Sequence, residues 1–474
     1  QEVEDTILRD VARRIGKMDA LTPTANWQLW RYQQTEAVRK DVVKLLARYT
    51  GKSEAEIRRL MKEAATAALE AEDEIYYHYG KEPTPFEESA PLQNLLNAGY
   101  RQTAGSFSNL TATTANTVSG AFEQALDRAW LQVSSGAFDY KTAVKRAVDG
   151  LADSMPYVTY PSGHRDTLEV ACRRAVLTGV NQTGAKLQEA RMDEMGASFV
   201  EVTAHGGARP SHAVWQGKRY HRGGAADYLG QHYEDFESAT GYGTGAGLCG
   251  WNCRHTFFVV FPELGSPPAW TQESLEALNA RNIEYDGRLY TRYEISQMQR
   301  ARERAVRKWK RRYLAEDAAG ADTTASAVKL RQARQSLADF TRATGGRVDS
   351  ARTSVHGFGR SASSKAAWAV RHNTLTNTAG QTIIKVSKSN ITGPRNGITQ
   401  KTNAKGGIDR NYYGADGRQT KQISNNGHGH KVEEALGKHG EHAHDYIFDA
   451  EGHLCGRPSR ELTDAERKEN NDIL

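Results

Sequence analysis

Apolar residues recur with a helical period along the first third of the chain. Val3, Ile7, Leu8, Val11 and Ile15 fall at three- and four-residue steps and mark one apolar stripe. Val42, Val43, Leu45, Leu46 and Tyr49 mark a second. Ser53 precedes Glu54, Glu56, Ile57 and Leu60, which predicts a helix start capped by Ser53 with acidic first-turn residues. Thr-Pro pairs at 22–23 and 84–85 punctuate the run, and residues 105–119, rich in Ser, Thr and Asn, read as a loop or capping region. Helical patterning resumes over 121–133 and 140–155. Residues 1–156 are therefore expected to form an extended helical arm rather than a catalytic body.

The pattern changes after Pro156. Residues 168–195 predict one long amphipathic helix, with Gly196 placed to end it as a C-cap. Residues 198–203 then alternate as a strand, and 215–220 and 256–261 are further short strands around the glycine-rich stretch 241–250. These fit a small central α+β domain over 157–263. Residues 264–344 return to helix, with a hairpin turn at Asp286-Gly287 and a further helix over 328–341. Gly, Ser, Arg and Thr dominate 345–364, so 345–371 reads as a flexible linker. Residues 372–474 form a separate α+β tail module, with alternation over 382–386 and turns at Asp416-Gly417 and Glu451-Gly452. The expected fold class is α+β and multidomain.

Composition narrows the function classes. The chain has 474 residues, 38% hydrophobic and 25% charged, enough for two to four domains at about 150 residues each. The longest strongly apolar run is 257–261, far short of the roughly twenty residues of a membrane span. Glu2, Glu4 and Asp5 stand where a secretory leader would be basic, so no leader is expected there. Four cysteines argue against a disulfide scaffold. The net charge is +6, yet residues 292–312 alone carry nine Lys/Arg against Glu294 and Glu303. A polyanion is expected to meet the chain there. Arg300, Arg304, Arg307, Lys308, Arg311 and Arg312 fall on overlapping helical faces, a pattern that suits sequence-independent contact with double-stranded DNA and equally a solvated face.

Two clusters carry candidate chemistry. Cys249, Cys253 and His255 could supply three zinc ligands, with His212 or His205 as the fourth. The plainer alternative is a pair of buried structural thiols, with Pro210-Ser211-His212 a helix start capped by Ser211. A hydrolase reading takes Cys253 or Ser211 as nucleophile and His212 as base. The tail holds seven of the fifteen histidines. His442, His444 and Tyr446 alternate and would share one strand face. With His428, His430 and Arg410 they are candidates for acid–base catalysis or for a transition metal. The alternative is a docking module with surface histidines.

The run His205-Gly-Gly-Ala-Arg-Pro-Ser-His-Ala-Val-Trp-Gln-Gly217, followed by Gly247-Leu-Cys-Gly-Trp-Asn-Cys-Arg-His255, resembles the tailed-phage minor capsid protein 2 family. That family is related to Mu-type head morphogenesis proteins. Thr22-Pro-Thr-Ala-Asn-Trp27 and Tyr293-Glu-Ile-Ser-Gln-Met-Gln-Arg300 share the resemblance, which spans about residues 1–345. It implies a structural virion component near the portal vertex, assisting head assembly and genome packaging or ejection. It also implies portal, major capsid or scaffold proteins and packaged DNA as partners, and it carries over no catalytic residues. The tail is similar to C-terminal modules of phage minor head proteins, some of them suspected polymorphic toxins that include metal-independent ribonucleases. Whether the chain is also an enzyme stays open on sequence, leaning against.

Overall fold

The fold is described by a computed structural model covering residues 2–18, 24–135, 139–154, 157–159, 164–404 and 406–474. The Thr22-Pro23 pair, Met155 and Pro156 lie outside the described residues. Helix accounts for 54% of the chain and strand for 15%, with a helical N-terminal region and a C-terminal sheet domain. This is the mixed class that the patterning predicts. Among the described residues, no helix is long and apolar enough to cross a membrane.

Backbone proximity groups the chain into two units, residues 1–308 with 336–356 and residues 309–335 with 357–474. The first unit takes in the residues on either side of 156, 263 and 344, and the second those on either side of 371.

The first unit opens with helices α1 (Glu2–Gly16), α2 (Thr24–His78), α3 (Ala90–Ser134) and α4 (Tyr140–Ser154). Ser53 does not start a helix; it lies inside α2. Ile57, Met61, Ala65 and Leu69 continue the stripe at four-residue steps and are all buried, and that burial outweighs a local capping preference. The polar stretch 105–119 is helical too, within α3. Ser106 and Ser119 donate one turn back, Ser106 Oγ to Gln102 O at 3.2 Å and Ser119 Oγ to Ala115 O at 3.0 Å. Small residues just before it allow close helix packing: a Cβ on Gly99 would meet Thr183 Oγ1 at 2.1 Å.

A short hairpin, β1 (Tyr157–Thr159) and β2 (Arg165–Thr167), leads into α5 (Leu168–Met195), which ends on Gly196 at φ 64 as expected. The sheet that follows has strand order β4-β3-β7, with β3 (Phe199–Val202) between β4 (Arg219–His221) and β7 (Phe257–Val259), both antiparallel to it. Between these strands lie α6 (Pro210–Ala213), the hairpin β5 (Ala226–Tyr228) and β6 (Gln231–Tyr233), and α7 (Phe236–Thr240). The N-terminal helices contribute to this core. Tyr76 of α2 packs with Val200, Val202, Phe236 and Phe257. Gln188 of α5 donates to Phe257 O at 2.9 Å, and Val259 N–H donates to Glu72 of α2 at 3.2 Å. Arg191, fully buried, reaches Asp73 at 2.8 Å. Burial pushes the Glu72 carboxyl up to about 8.

Helix α8 (Gln272–Asn279) and the hairpin β8 (Ile283–Tyr285) and β9 (Arg288–Tyr290) follow. Asp286 and Gly287 both take positive φ, the two-residue turn expected there. Helices α9 (Arg292–Ala318), α10 (Thr324–Ala343) and α11 (Ser350–Thr353) complete the sequence up to residue 356, and the last part of α9 with the first part of α10 belongs to the second unit. His356 N–H donates to Asp5 of α1 at 2.7 Å.

In the second unit, α12 (Arg360–Asn373) lies where a flexible linker was expected. Ala366, Ala369 and Val370 recur at helical spacing and are buried, a signal that the surrounding Gly, Ser and Arg residues mask. The remainder is one seven-stranded sheet in the order β10 (Thr374–Thr376), β11 (Thr382–Val386), β12 (Ile398–Thr402), β13 (Ile408–Tyr413), β14 (Gln419–Ser424), β15 (His442–Asp445) and, at its far edge, β18 (Ser459–Arg460). Within this sheet β11 and β12 pair in parallel, and the other described neighbours are antiparallel. Helix α13 (Lys431–Glu434) precedes β15, the hairpin β16 (Ile447–Phe448) and β17 (Leu454–Gly456) follows it, and α14 (Asp464–Glu469) closes the chain with a Thr463/Glu466 capping box.

Candidate functional site

In the first unit, the chain after β3 turns through α6 and places His212 against the loop 241–256. Pro210 occupies the first helical position and the cap is Arg209, so Ser211 does not cap α6. The loop needs its glycines: a Cβ on Gly247 would meet Gly241 O at 1.9 Å. Cys249 and Asn252 hold left-handed backbone at φ 58 and 55. From α5, Asn181 Nδ2 donates to Cys253 O at 3.3 Å and His255 O at 3.2 Å, which fixes the loop's end.

Three of the five expected ligands converge there. His212, Cys253 and His255 are all buried and bring one ligand atom each within 4.8 Å of the others. Cys249 Sγ lies outside that group and points at His255 O, 3.7 Å away. His205 stacks on His255, ring centroids 4.3 Å apart, so its face rather than its nitrogen meets the cluster. Burial lowers both imidazoles, His255 to about 3, and raises both thiols. A thiol raised in this way is a poor nucleophile. Ser211 is exposed, and both ring nitrogens of its buried neighbour His212 face other groups, Nε2 the Ala246 carbonyl at 3.0 Å and Nδ1 the cluster. Gln216, unassigned from sequence, is the residue that orients His255, with Oε1 2.9 Å from Nε2.

The basic helix is mostly spent on partners. Arg307 pairs with Glu169, Lys308 with Asp153 at 3.0 Å and Arg312 with Glu316 at 3.6 Å. Arg300 and Arg311 are half-buried, and burial lowers the Arg300 pKa. Arg304 and Lys308 remain the exposed members of the predicted set.

In the second unit, β13, β14 and β15 put Asp409, Ser424 and His442 in one register row, and Asn411, Gln422 and His444 in the next. These residues share one polar face of the sheet. His442 Nδ1 donates to Gly440 O at 2.8 Å, leaving Nε2 to receive a proton from His444 Nε2, 3.0 Å away. Glu433 Oε1 lies 3.3 Å from the same His444 nitrogen. Burial lowers His444 to about 4, with Arg457 and His442 adding to the effect. His428 reaches Asp409 at 3.1 Å, and Asp409 accepts from Ser424 Oγ at 2.7 Å. Two predicted members fall away. His430 is exposed at the start of α13, and Arg410 belongs to the opposite face, buried between Gln400, Asn470 and Asp472. Glu433 joins His442 and His444 as a group able to hold a metal ion, and nothing in its surrounding sequence marked it.

The family model of phage minor capsid protein 2 matches residues 1–342. The chain belongs to that family. This phage minor capsid protein is a component of the virion, with other virion proteins as its partners. No curated protein and no solved structure matches it. The match takes in the His212/Cys253/His255 cluster and ends before the tail histidines.

Proposed function

We propose that this minor capsid protein sits at the portal vertex of the phage head, supports head assembly and genome packaging or ejection, and touches packaged DNA through α9. The family match over residues 1–342 carries the proposal. Two features of the first unit support it. Helix α2, with 55 residues, is about 80 Å long at 1.5 Å per residue, a rod suited to structural spanning. Arg304, with Lys308 one turn on in an exposed pair with Asp153, presents positive charge to a polyanion. The test is to purify particles and locate the protein by cross-linking and labelling. Cross-links to the portal at one vertex are expected; a protein spread evenly over the shell, or missing from particles, overturns the proposal.

A second reading concerns the tail, which lies beyond the family match: a nuclease-like effector carried by the head protein. The observation that favours it is the Glu433–His444–His442 line on a buried polar sheet face, with Arg457 donating to Gln422 of that face at 3.1 Å. Neutral imidazoles in contact can pass a proton, and a nearby guanidinium suits a phosphodiester. Incubating the full chain with RNA and DNA, with and without chelator, decides it. Cleavage lost in His442→Ala supports the effector; intact nucleic acid under all conditions overturns it.

A further inference from the structure

Three electron-pair donors meet in the first unit with too few protons among them. The backbone N–H of His205 can only donate, so the Gln216 atom that receives it at 3.1 Å is the carbonyl oxygen. The same oxygen lies 2.9 Å from His255 Nε2, which must therefore carry that ring's proton. Likewise the Ala246 carbonyl can only accept, and it fixes the proton of His212 on Nε2 at 3.0 Å. In both neutral rings Nδ1 is then a bare lone pair. The two lone pairs face each other across 3.4 Å, and Cys253 Sγ stands 3.7 Å from His212 Nδ1 and 3.6 Å from His255 Nδ1. One thiol proton can satisfy one nitrogen and leaves the other facing like electron density in a buried place.

A cation at the centre of this triangle removes the conflict. Zinc binds nitrogen at about 2.05 Å and sulfur at about 2.3 Å, so a tetrahedron around it has an N–N edge of about 3.3 Å and N–S edges of about 3.6 Å. The measured edges are 3.4, 3.6 and 3.7 Å. The outer hydrogen bonds to Gln216 and Ala246 are those that orient metal-bound imidazoles and raise their basicity. Gln216 is itself held, donating Nε2–H to Asn279 Oδ1 at 3.2 Å. The tail histidines do not share this geometry: His442 and His444 nitrogens are 3.0 Å apart, a separation that one shared proton accounts for.

We propose that His212 Nδ1, His255 Nδ1 and Cys253 Sγ bind one zinc ion that ties α6 to the loop 249–255, with Cys249 outside its coordination sphere. Binding releases the Cys253 thiol proton to solvent, and a non-protein ligand such as water completes the tetrahedron. The proposal is independent of where the protein sits in the particle.

The experiment uses the full chain, purified under reducing conditions, incubated with zinc chloride and desalted. Elemental analysis should return close to one zinc per chain. Replacing zinc by cobalt(II) should give a thiolate-to-metal charge-transfer band and the visible bands of a tetrahedral ion, both absent in Cys253→Ser. Cys249→Ser should keep the metal and the spectrum, and Gln216→Leu should weaken zinc affinity roughly 10- to 100-fold. A folded wild-type protein holding no more zinc than Cys253→Ser overturns the proposal, with circular dichroism as the check on folding. So does a wild-type cobalt spectrum without the thiolate band. Loss of metal from a folded Cys249→Ser overturns the three-residue ligand set.

Discussion

The two histidine clusters are built from similar residues and arranged for opposite ends. In the tail, Glu433, His444 and His442 form a line whose nitrogens sit 3.0 Å apart, close enough to share a proton. In the first unit, His212, His255 and Cys253 form a triangle with sides of 3.4 to 3.7 Å, and hydrogen bonds on the outside turn every lone pair inward. A line of this kind has the geometry to share a proton; a triangle of this kind has the geometry to suit a cation. Which side of each ring is engaged by a backbone or amide oxygen decides between the two, and that partner is invisible in the order of residues.

The contrast can be broken most forcefully at the loop that carries the triangle. Gly247→Val should destabilise the first unit by about 3 kcal/mol or more, because its side chain would collide with Gly241 O. Hydrogen exchange should show the loss over 241–256 and leave the tail sheet protected. His442→Ala should act on the other unit alone. It strands the Gly440 carbonyl and one side of His444, at a cost of about 2 kcal/mol, read as faster exchange in β14 and β15.

Two buried groups, one in each unit, should respond to pH in opposite directions. Glu72 binds its proton more tightly folded than unfolded, with its pKa raised by burial from 4.5 to about 8. Its contribution is therefore complete below the unfolded value and is lost as the pH rises towards 8. The slope is at most about 1.4 kcal/mol per pH unit, and Glu72→Gln should flatten it. His444 is depressed from 6.5 to about 4, so its contribution is present above 6.5 and is lost as the pH falls through 4. Denaturant melts at pH 4.5, 6 and 8, followed unit by unit, check both. The smallest effect belongs to Lys308→Ala. Its exposed pair with Asp153 should cost no more than about 0.5 kcal/mol, while a role in DNA contact would appear as weaker, less salt-dependent DNA retention.

Much of this architecture is legible from periodicity. Helix α5 spans the residues that its apolar spacing and Gly196 mark, and the Asp286-Gly287 and Asp416-Gly417 turns sit between the strands they predict. The differences share a cause: burial overrides the local signal. Ser53 is a good cap in an isolated peptide, yet Ile57 through Leu69 bury more as a continuation of α2. The hydroxyl-rich segment 105–119 looks like a loop, yet it is helical, and Ser106 and Ser119 find carbonyls one turn back. At the site, the motifs put forward Cys249, Cys253 and His255 with His212 or His205, and the structure gathers His212, Cys253 and His255. They could not show that Cys249 turns away, or that Gln216 selects the tautomer of His255.

One thread of the fold bears on how such a gene can be recombined. The chain leaves the first unit after residue 308, returns for 336–356, and leaves again, and the returning stretch ends with His356 bound to Asp5. A crossover just past the family boundary at 342 would deliver a foreign tail while taking away the clasp on the opening helix. Donor cassettes that begin after residue 356 keep that clasp but strip residues 309–335 of the rest of their own unit, so a new tail has to match that stretch as well.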